Sequence, residues 1–300
     1  VVSFFIGAGF SKWSADLPLV HQLFDFNISE IRSGDRKWHD KLYSEKETWQ
    51  RSHPNENNEA FISHIISDKG PRLNNYLSKY IARRLSEPFL CSTLGSIQTF
   101  MFDDKKIKSL DSIKKAKSFF GLYEMMEIGG IITTNYDLVL EYAFGTSGFR
   151  YGRRSQKVLG RGHNPLFPYQ HTPVNLTGNI LISKIHGSIS FDGANYWSSG
   201  ICGLNGNALI VPPSIEKNLN IAVQAEWENA ANVLSRSNEL IVFGFNFKPY
   251  DIAVLDLLKH NSGNVKKVTI YDIESKFEKA RQIWTSAEII EIHIQNMTIV

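Results

Sequence analysis

The sequence predicts an α/β protein: a Rossmann-like, mostly parallel sheet with helices on both faces, and an all-helical insertion. Three observations carry that prediction. After Gly129, short apolar strand signals alternate with helical periodicities, the pattern of parallel sheets buried on both sides. At the other end, a strand-like run from Val1 to Ile6 passes straight into Gly7-Ala8-Gly9. Between about residues 20 and 127, helical patterns recur and strand signals are almost absent. Residues 1–20 and 128–300 are therefore expected to form one Rossmann-like unit, with 21–127 inserted as a helical subdomain.

The elements follow in order. Val1-Val2-Ser3-Phe4-Phe5-Ile6 is almost wholly β-branched and aromatic, which suits a buried strand. Gly7 and Gly9 then allow a sharp turn and close backbone approach. Ser11 to Pro18 reads as a polar connector. Leu19, Val20, Leu23, Phe24, Ile28 and Ile31 recur at helical spacing up to Gly34, and weaker helical patterns cover 37–50 and 60–67. Pro71 suits the first turn of a helix running through Leu85, and another is expected from Ser109 to about Glu127. Beyond Gly129, strands are expected at Ile131 to Thr134, Ile180 to Ile185, Ala208 to Val211, Leu240 to Phe245, Val265 to Tyr271 and Ile289 to Ile294. Helices are expected at Asp137 to Phe144, Ala222 to Ser237, Tyr250 to His260 and Ser275 to Thr285.

Composition bounds the function. The chain has 300 residues, 42% hydrophobic and 21% charged, with a formal net charge of +3. So small a charge does not by itself imply a nucleic-acid partner. The only cysteines are Cys91 and Cys202, so no zinc ribbon of cysteines can form within this chain and no metal is expected. Few cysteines, no secretory leader and no apolar run of the ~18 residues needed to span a membrane point to a cytoplasmic protein without membrane attachment. The chain opens on Val inside a strand signal, which reads as a start trimmed from something longer. Residues 145–183 look irregular, and no acidic residue lies between Glu141 and Asp192, whereas Arg150, Arg153, Arg154, Lys157, Arg161 and Lys184 do. A solvated basic loop is one reading. The other is an anion or nucleic-acid contact through residues 150–161 or through a partner.

Four short segments fall at the ends of expected strands, where open α/β sheets place ligands. They are Gly7-Ala8-Gly9-Phe10-Ser11, Thr133-Thr134-Asn135-Tyr136-Asp137, Lys184-Ile185-His186-Gly187-Ser188 and Phe243-Gly244-Phe245-Asn246. The first matches the dinucleotide fingerprint only in part, because Lys12 stands where its third glycine would fall.

Taken in order, the four segments resemble the sirtuin-like superfamily, and Thr-Thr-Asn-Tyr-Asp is similar to its prokaryotic anti-phage defence branch. The resemblance implies NAD as a consumed substrate and NAD+ glycohydrolase activity, releasing nicotinamide and ADP-ribose. It implies Asn135 and His186 as the catalytic pair. Gly7, Ala8, Gly9, Phe10 and Ser11 would meet the pyrophosphate and the ribose next to nicotinamide, and Asp137 the nicotinamide pocket. Gly244, Phe245 and Asn246 would meet the adenosine side, with Asp251 and Asp272 as further candidates for its ribose. Implied partners are other copies of the chain, or a defence protein such as a translocating ATPase, an Argonaute or a sensor domain. The alternatives are an NAD-dependent protein deacylase or ADP-ribosyltransferase, and a non-catalytic module sensing NAD or ADP-ribose. Deacetylating sirtuins carry a four-cysteine zinc module that this chain cannot supply.

Overall fold

The structure, a computed structural model, describes residues 1–24, 35–86, 111–144, 148–151, 156–164, 167–173, 178–194, 196–197, 206–212 and 221–296. Its centre is a seven-stranded sheet in which every pairing is parallel. The strands are β1 (Val2–Ile6), β2 (Ile128–Thr133), β3 (Phe149–Arg150), β6 (Ile180–Lys184), β8 (Glu239–Phe243), β9 (Lys267–Asp272) and β10 (Glu288–His293). Their order across the sheet is β10-β9-β8-β1-β2-β6-β3. A second, three-stranded sheet joins β4 (Gln156–Asn164) to β5 (Phe167–Pro173) and β7 (Tyr196–Trp197).

The Rossmann-like expectation holds. β1 lies in the middle of the sheet, and all five of its residues are buried. Its side chains alternate between two helical layers, as strand periodicity requires. Phe4 faces α5 (Asp111–Gly121), meeting Phe120 at 5.1 Å and Phe119 at 6.2 Å between ring centroids, and α1 (Ala8–Ala15) and α6 (Val139–Phe144) pack on α5. Ser3 faces the opposite way and is bonded by the Ser237 hydroxyl at 2.7 Å, just past α7 (Ile221–Arg236). On that side α7 packs on β2 and β6, and is followed by α8 (Ile252–Asn261) and α9 (Phe277–Ile283).

Three further helices, α2 (Arg36–Ser52), α3 (Asn58–Asp68) and α4 (Pro71–Ser86), pack on one another. Leu42 and Trp49, Phe61 and Ile65, and Leu77 and Ile81 are their buried faces. Asn57 caps α3, its Oδ1 accepting from the Glu59 and Ala60 amides at 2.9 and 3.0 Å. α5 lies within the 21–127 block yet packs on the sheet, with Phe119 5.0 Å from Phe243 and 5.2 Å from Tyr271.

Several local expectations need correction. The connector expected at Ser11 is helix α1, which begins directly after Gly7. Ser11 and Ser14 are buried, and the segment is polar in composition but not in position. Of the helix expected over 19–34, the described part is a 3-10 turn at Val20–Gln22, and 25–34 lies outside the described residues. The strand expected at Ala208 to Val211 is a single bridge from Ile210 to Gly187. The stretch 145–183 contains the antiparallel pair β4 and β5, whose Gly and Pro residues hide the strand periodicity. Arg153 and Arg154 lie outside the described residues.

The aromatic layer under α5 gives a stability test. Phe119 is fully buried, so Phe119→Ala should cost about 3–5 kcal/mol, the range for deleting a core aromatic ring. Phe277 is 37% exposed, and Phe277→Ala should change stability by no more than about 0.5 kcal/mol. Urea unfolding followed by circular dichroism reads both. A Phe119→Ala loss no larger than that of Phe277→Ala would contradict this account of the core.

Candidate functional site

The site is set by register. Ile6 at the end of β1 pairs with Thr133 of β2 on one side and Phe243 of β8 on the other, and Thr133 pairs with Lys184 of β6. Four adjacent strands therefore end level, and the four motif segments leave one edge of the sheet side by side. Asn135 and His186 each lie two residues beyond a paired position, on neighbouring strands.

Backbone bonds hold the emerging loops together. The Gly7 amide donates to the Phe243 carbonyl at 2.9 Å, and the Gly9 amide to the Gly244 carbonyl at 3.0 Å. These two turns touch so closely that a Cβ on Gly9 would lie 2.6 Å from the Gly244 Cα, and one on Gly7 2.5 Å from its carbonyl oxygen. Gly244 also has φ +63°, a conformation that favours glycine. The glycines are thus required by contact between two loops of the protein. On the other side, the Tyr136 carbonyl accepts from the Ile189 amide at 2.9 Å and the Ser188 hydroxyl at 3.2 Å.

Asn135 is buried where the first two loops meet. Its Nδ2 donates to the Gly7 carbonyl and to Ser11 Oγ, both at 3.0 Å. Its own amide donates to Thr133 Oγ1 at 3.0 Å, which in turn donates to the Ile6 carbonyl at 2.8 Å. With both donor directions used, Oδ1 is left buried without a hydrogen-bond partner. An orphaned acceptor of this kind carries a desolvation cost unless a ligand supplies a donor. Ser11, in the first turns of α1, also bonds the buried Asp137 carboxyl, so Asn135, Ser11 and Asp137 form one connected group. Asp137 Oδ1 accepts from the Val139 amide at 3.0 Å, opening α6.

His186 is buried on the far side of the group. Its Nε2 lies 3.8 Å from the Asp251 carboxylate, and its ring is 6.4 Å from that of Trp227. Trp227 is itself held by donating to the Ile185 carbonyl at 2.8 Å. Gly187 follows at φ +82°, where a Cβ would meet the Leu209 carbonyl oxygen at 2.2 Å. Asp251, a candidate for the adenosine ribose by sequence, is thus placed beside His186. Asp272 closes its own turn, accepting from the Ile273 and Glu274 amides at 2.8 and 3.2 Å.

Beneath the edge lies a buried ion pair. Lys184 Nζ is 2.9 Å from Glu141 Oε1 and also donates to the Asp137 carbonyl. Tyr151 donates to the same Glu141 oxygen at 2.7 Å. Lys184 therefore belongs to the core and not to a solvated basic loop. The pair had a sequence signal, since a lysine ending an apolar strand needs a counter-charge when buried.

The remaining sequence candidates sit as follows. The Phe10 ring is fully buried among Trp13, Phe119 and Phe243, so only its backbone is left to face a ligand. Phe245 is buried against Phe5 at 4.9 Å. Asn246 is exposed, its Oδ1 accepting from Lys276 Nζ at 3.0 Å. Ala8 opens α1 beside Gly7.

The model of the SIR2-like domain matches residues 129–290, more than half of the chain. The chain belongs to the SIR2-like family. The match covers the second, third and fourth segments, while β1 and the glycine turn join them through the sheet. No curated protein matches the sequence. Among solved structures, a chain from work on the mechanism and regulation of Sir2 enzymes is 15% identical, with a TM-score of 0.44 over 96% of this chain and 85% of that one. A Sir2 solved with an inhibitor, an acetylated ADP-ribose and a deacetylated peptide is 16% identical, with a TM-score of 0.40 over 100% and 89%. A Sir2 bound to a propionylated peptide is 17% identical, with a TM-score of 0.37 over 97% and 86%.

In this SIR2-like site the Asp137 carboxyl is pushed above its ordinary value by burial, with Glu141 adding to the rise. Lys184, the Val139 amide and Ser11 pull the other way. An acid raised by folding holds its proton more tightly in the folded state. Its favourable contribution is complete below the ordinary value of about 3.9 and is lost as pH rises through the folded value. Asp137→Asn should therefore match wild-type stability in acid and become relatively more stable as pH climbs, levelling once Asp137 is ionised in both states. Urea unfolding across pH measures this. A variant that loses ground to wild type as pH rises would contradict it.

Proposed function

We propose that this protein is an NAD+ glycohydrolase, cleaving NAD+ to nicotinamide and ADP-ribose. The observation that carries the reading is the buried, unpartnered Oδ1 of Asn135, at the meeting of the glycine turn, Ser11 and Asp137. An amide oxygen without a partner at the carboxyl edge of a parallel sheet fits a sugar hydroxyl or an attacking water. The α1 N-terminus beside it suits an anionic phosphate.

Asn135 and His186 are the proposed catalytic residues. Asn135 positions the water and the ribose, and His186 takes the proton of the attacking water. The water oxygen bonds to the ribose carbon as the bond to nicotinamide breaks. That bond's electron pair passes to the pyridinium nitrogen, and one proton is released overall. The pyridinium is already a good leaving group, so the residues orient and stabilise, and no step requires a resident metal. Gly7, Ala8, Gly9, Phe10 and Ser11 are proposed to hold the pyrophosphate and proximal ribose, Asp137 the nicotinamide, and Gly244, Phe245 and Asn246 the adenosine side. Hydrolysis is favoured over deacylation because two cysteines cannot build the four-cysteine module of deacetylating sirtuins.

The likeness of Thr133 to Asp137 to the prokaryotic defence branch supports a role in depleting NAD+ during phage infection, switched on by oligomerisation or by a partner protein. Nicotinamide release from NAD+ is the assay, with and without candidate partners. Asn135→Ala is expected to lower turnover by about 10²–10³-fold or more, the scale of losing a positioned polar group at a reaction centre, while the variant still folds. A wild-type protein that binds NAD+ but releases no nicotinamide under any activating condition would sink the hydrolase reading. Consumption of NAD+ in proportion to an added acyl-peptide would replace it with a deacylase.

A further inference from the structure

His186 and Asp251 are 65 residues apart in the chain and come from different loops, yet their side chains meet in the interior, 2% and 5% exposed. Asp251 stands at the N-cap of α8, where an aspartate ordinarily turns its side chain onto the helix's first free amides. Here its carbonyl accepts from the Val254 and Leu255 amides at 3.0 Å, but its side chain makes no capping hydrogen bond. The carboxylate is turned toward His186 Nε2 instead, at 3.8 Å.

The His186 backbone and the neighbourhood of its ring are held as well. The His186 backbone carbonyl accepts from the Val211 amide at 2.9 Å, and the Trp227 ring lies 6.4 Å from the imidazole. A buried carboxylate facing one ring nitrogen favours the tautomer with the proton on that nitrogen. It also stabilises the imidazolium formed once a proton has been taken. A contact slightly longer than a hydrogen bond in the ligand-free protein can tighten as that charge builds.

We propose that Asp251 is a positioning residue for His186, holding the imidazole from its Nε2 side and fixing the tautomer in which it takes part in the reaction. The kinetic part of this proposal rests on the hydrolase reading above, whereas the pairing does not. Among the described residues, the charged and titratable groups near the pair include Glu59, Lys248, Tyr136 and Tyr250. Lys248 is 3.8 Å from Glu59, and Tyr136 and Tyr250 both feel the Glu59 and Asp251 carboxylates.

The test uses the full chain labelled with nitrogen-15, at one neutral pH, with His186→Gln assigning the His186 ring signals. Wild type should show the Nε2–H tautomer. Asp251→Asn should move the ring signals toward the other tautomer, and Asp251→Glu should keep them near wild type. Asparagine caps helices as well as aspartate does, and Asp251→Ser is a second neutral variant should the first misfold. In the nicotinamide assay, Asp251→Asn should lower kcat by about 10- to 100-fold, less than the ~10⁴-fold seen where carboxylate and histidine are directly bonded. KM should stay within about twofold, and Asp251→Glu should recover part of kcat. Unchanged His186 ring signals in a folded neutral variant would overturn the pairing, and a loss confined to KM would overturn the positioning role. If wild type cleaves no NAD+ the hydrolase reading fails, and the ring signals still decide the pairing.

Discussion

The structure depends on a contact between two glycine turns. The backbone after β1 and the backbone after β8 press together so closely that neither Gly9 nor Gly244 has room for a methyl group. That contact brings the first and fourth segments level with each other, and the matched ends of β1, β2 and β6 bring the second and third alongside. Only because the Gly7 carbonyl is fixed there can Asn135 bond it and spend both of its donors. The orphaned oxygen follows from the turn. A bulkier turn would relax the loop, and Asn135 would lose the arrangement that leaves its Oδ1 without a partner.

Charge burial is the second constraint. One lysine, Lys184, lies near two carboxylates, Glu141 and Asp137, with Glu141 directly paired and Asp137 touched at its carbonyl. A buried pair of this kind adds little net stability, while its removal by halves is costly. Its value here is positional. Lys184 ends β6 and Glu141 lies in α6, so the pair ties the strand that leads to His186 to the helix that follows Asp137. Asn135 and His186 are thereby braced from below as well as stapled through the Tyr136 carbonyl from above.

Much of this was legible in the sequence because it rests on period and on glycine. The parallel sheet and the buried first strand were visible as runs and alternations of apolar residues, and the four motif segments as strand ends. Direction and partnership were less legible. Ser11 looked like a connector residue because its composition is polar, whereas helical periodicity buries it on α1 against Asn135. The strands inside 145–183 were hidden by Gly160, Gly162, Pro168 and Pro173, which weaken strand signals locally while cross-strand pairing overrides them. Asp251 was expected inside a helix starting at Tyr250 and as a candidate for the adenosine ribose, and nothing local shows that it caps the helix and turns its side chain to a histidine far earlier in the chain.

The helical block is joined to the site through the loop that carries Asp251. Glu59, in the first turn of α3, lies 3.8 Å from Lys248 and interacts with Tyr250, the residues just before Asp251. Ser78 of α4 donates at 2.9 Å to the Ala208 carbonyl; the Leu209 carbonyl accepts from the Ser188 amide and the Val211 amide donates to the His186 carbonyl. The loop that carries Asp251 and the 208–211 segment, both beside His186, thus each touch the helices. Surface ion pairs contribute little energy singly, and the Tyr250 side chain also interacts with Glu59 and Asn57 of the helical block. A displacement of α3 and α4 relative to the sheet would separate Asp251 and the 208–211 segment from His186 before it disturbed Asn135, whose partners all belong to the sheet edge and α1. The two halves of the site thus have different mechanical supports: the amide rests on the glycine contact, and the imidazole on the fit between sheet and insertion.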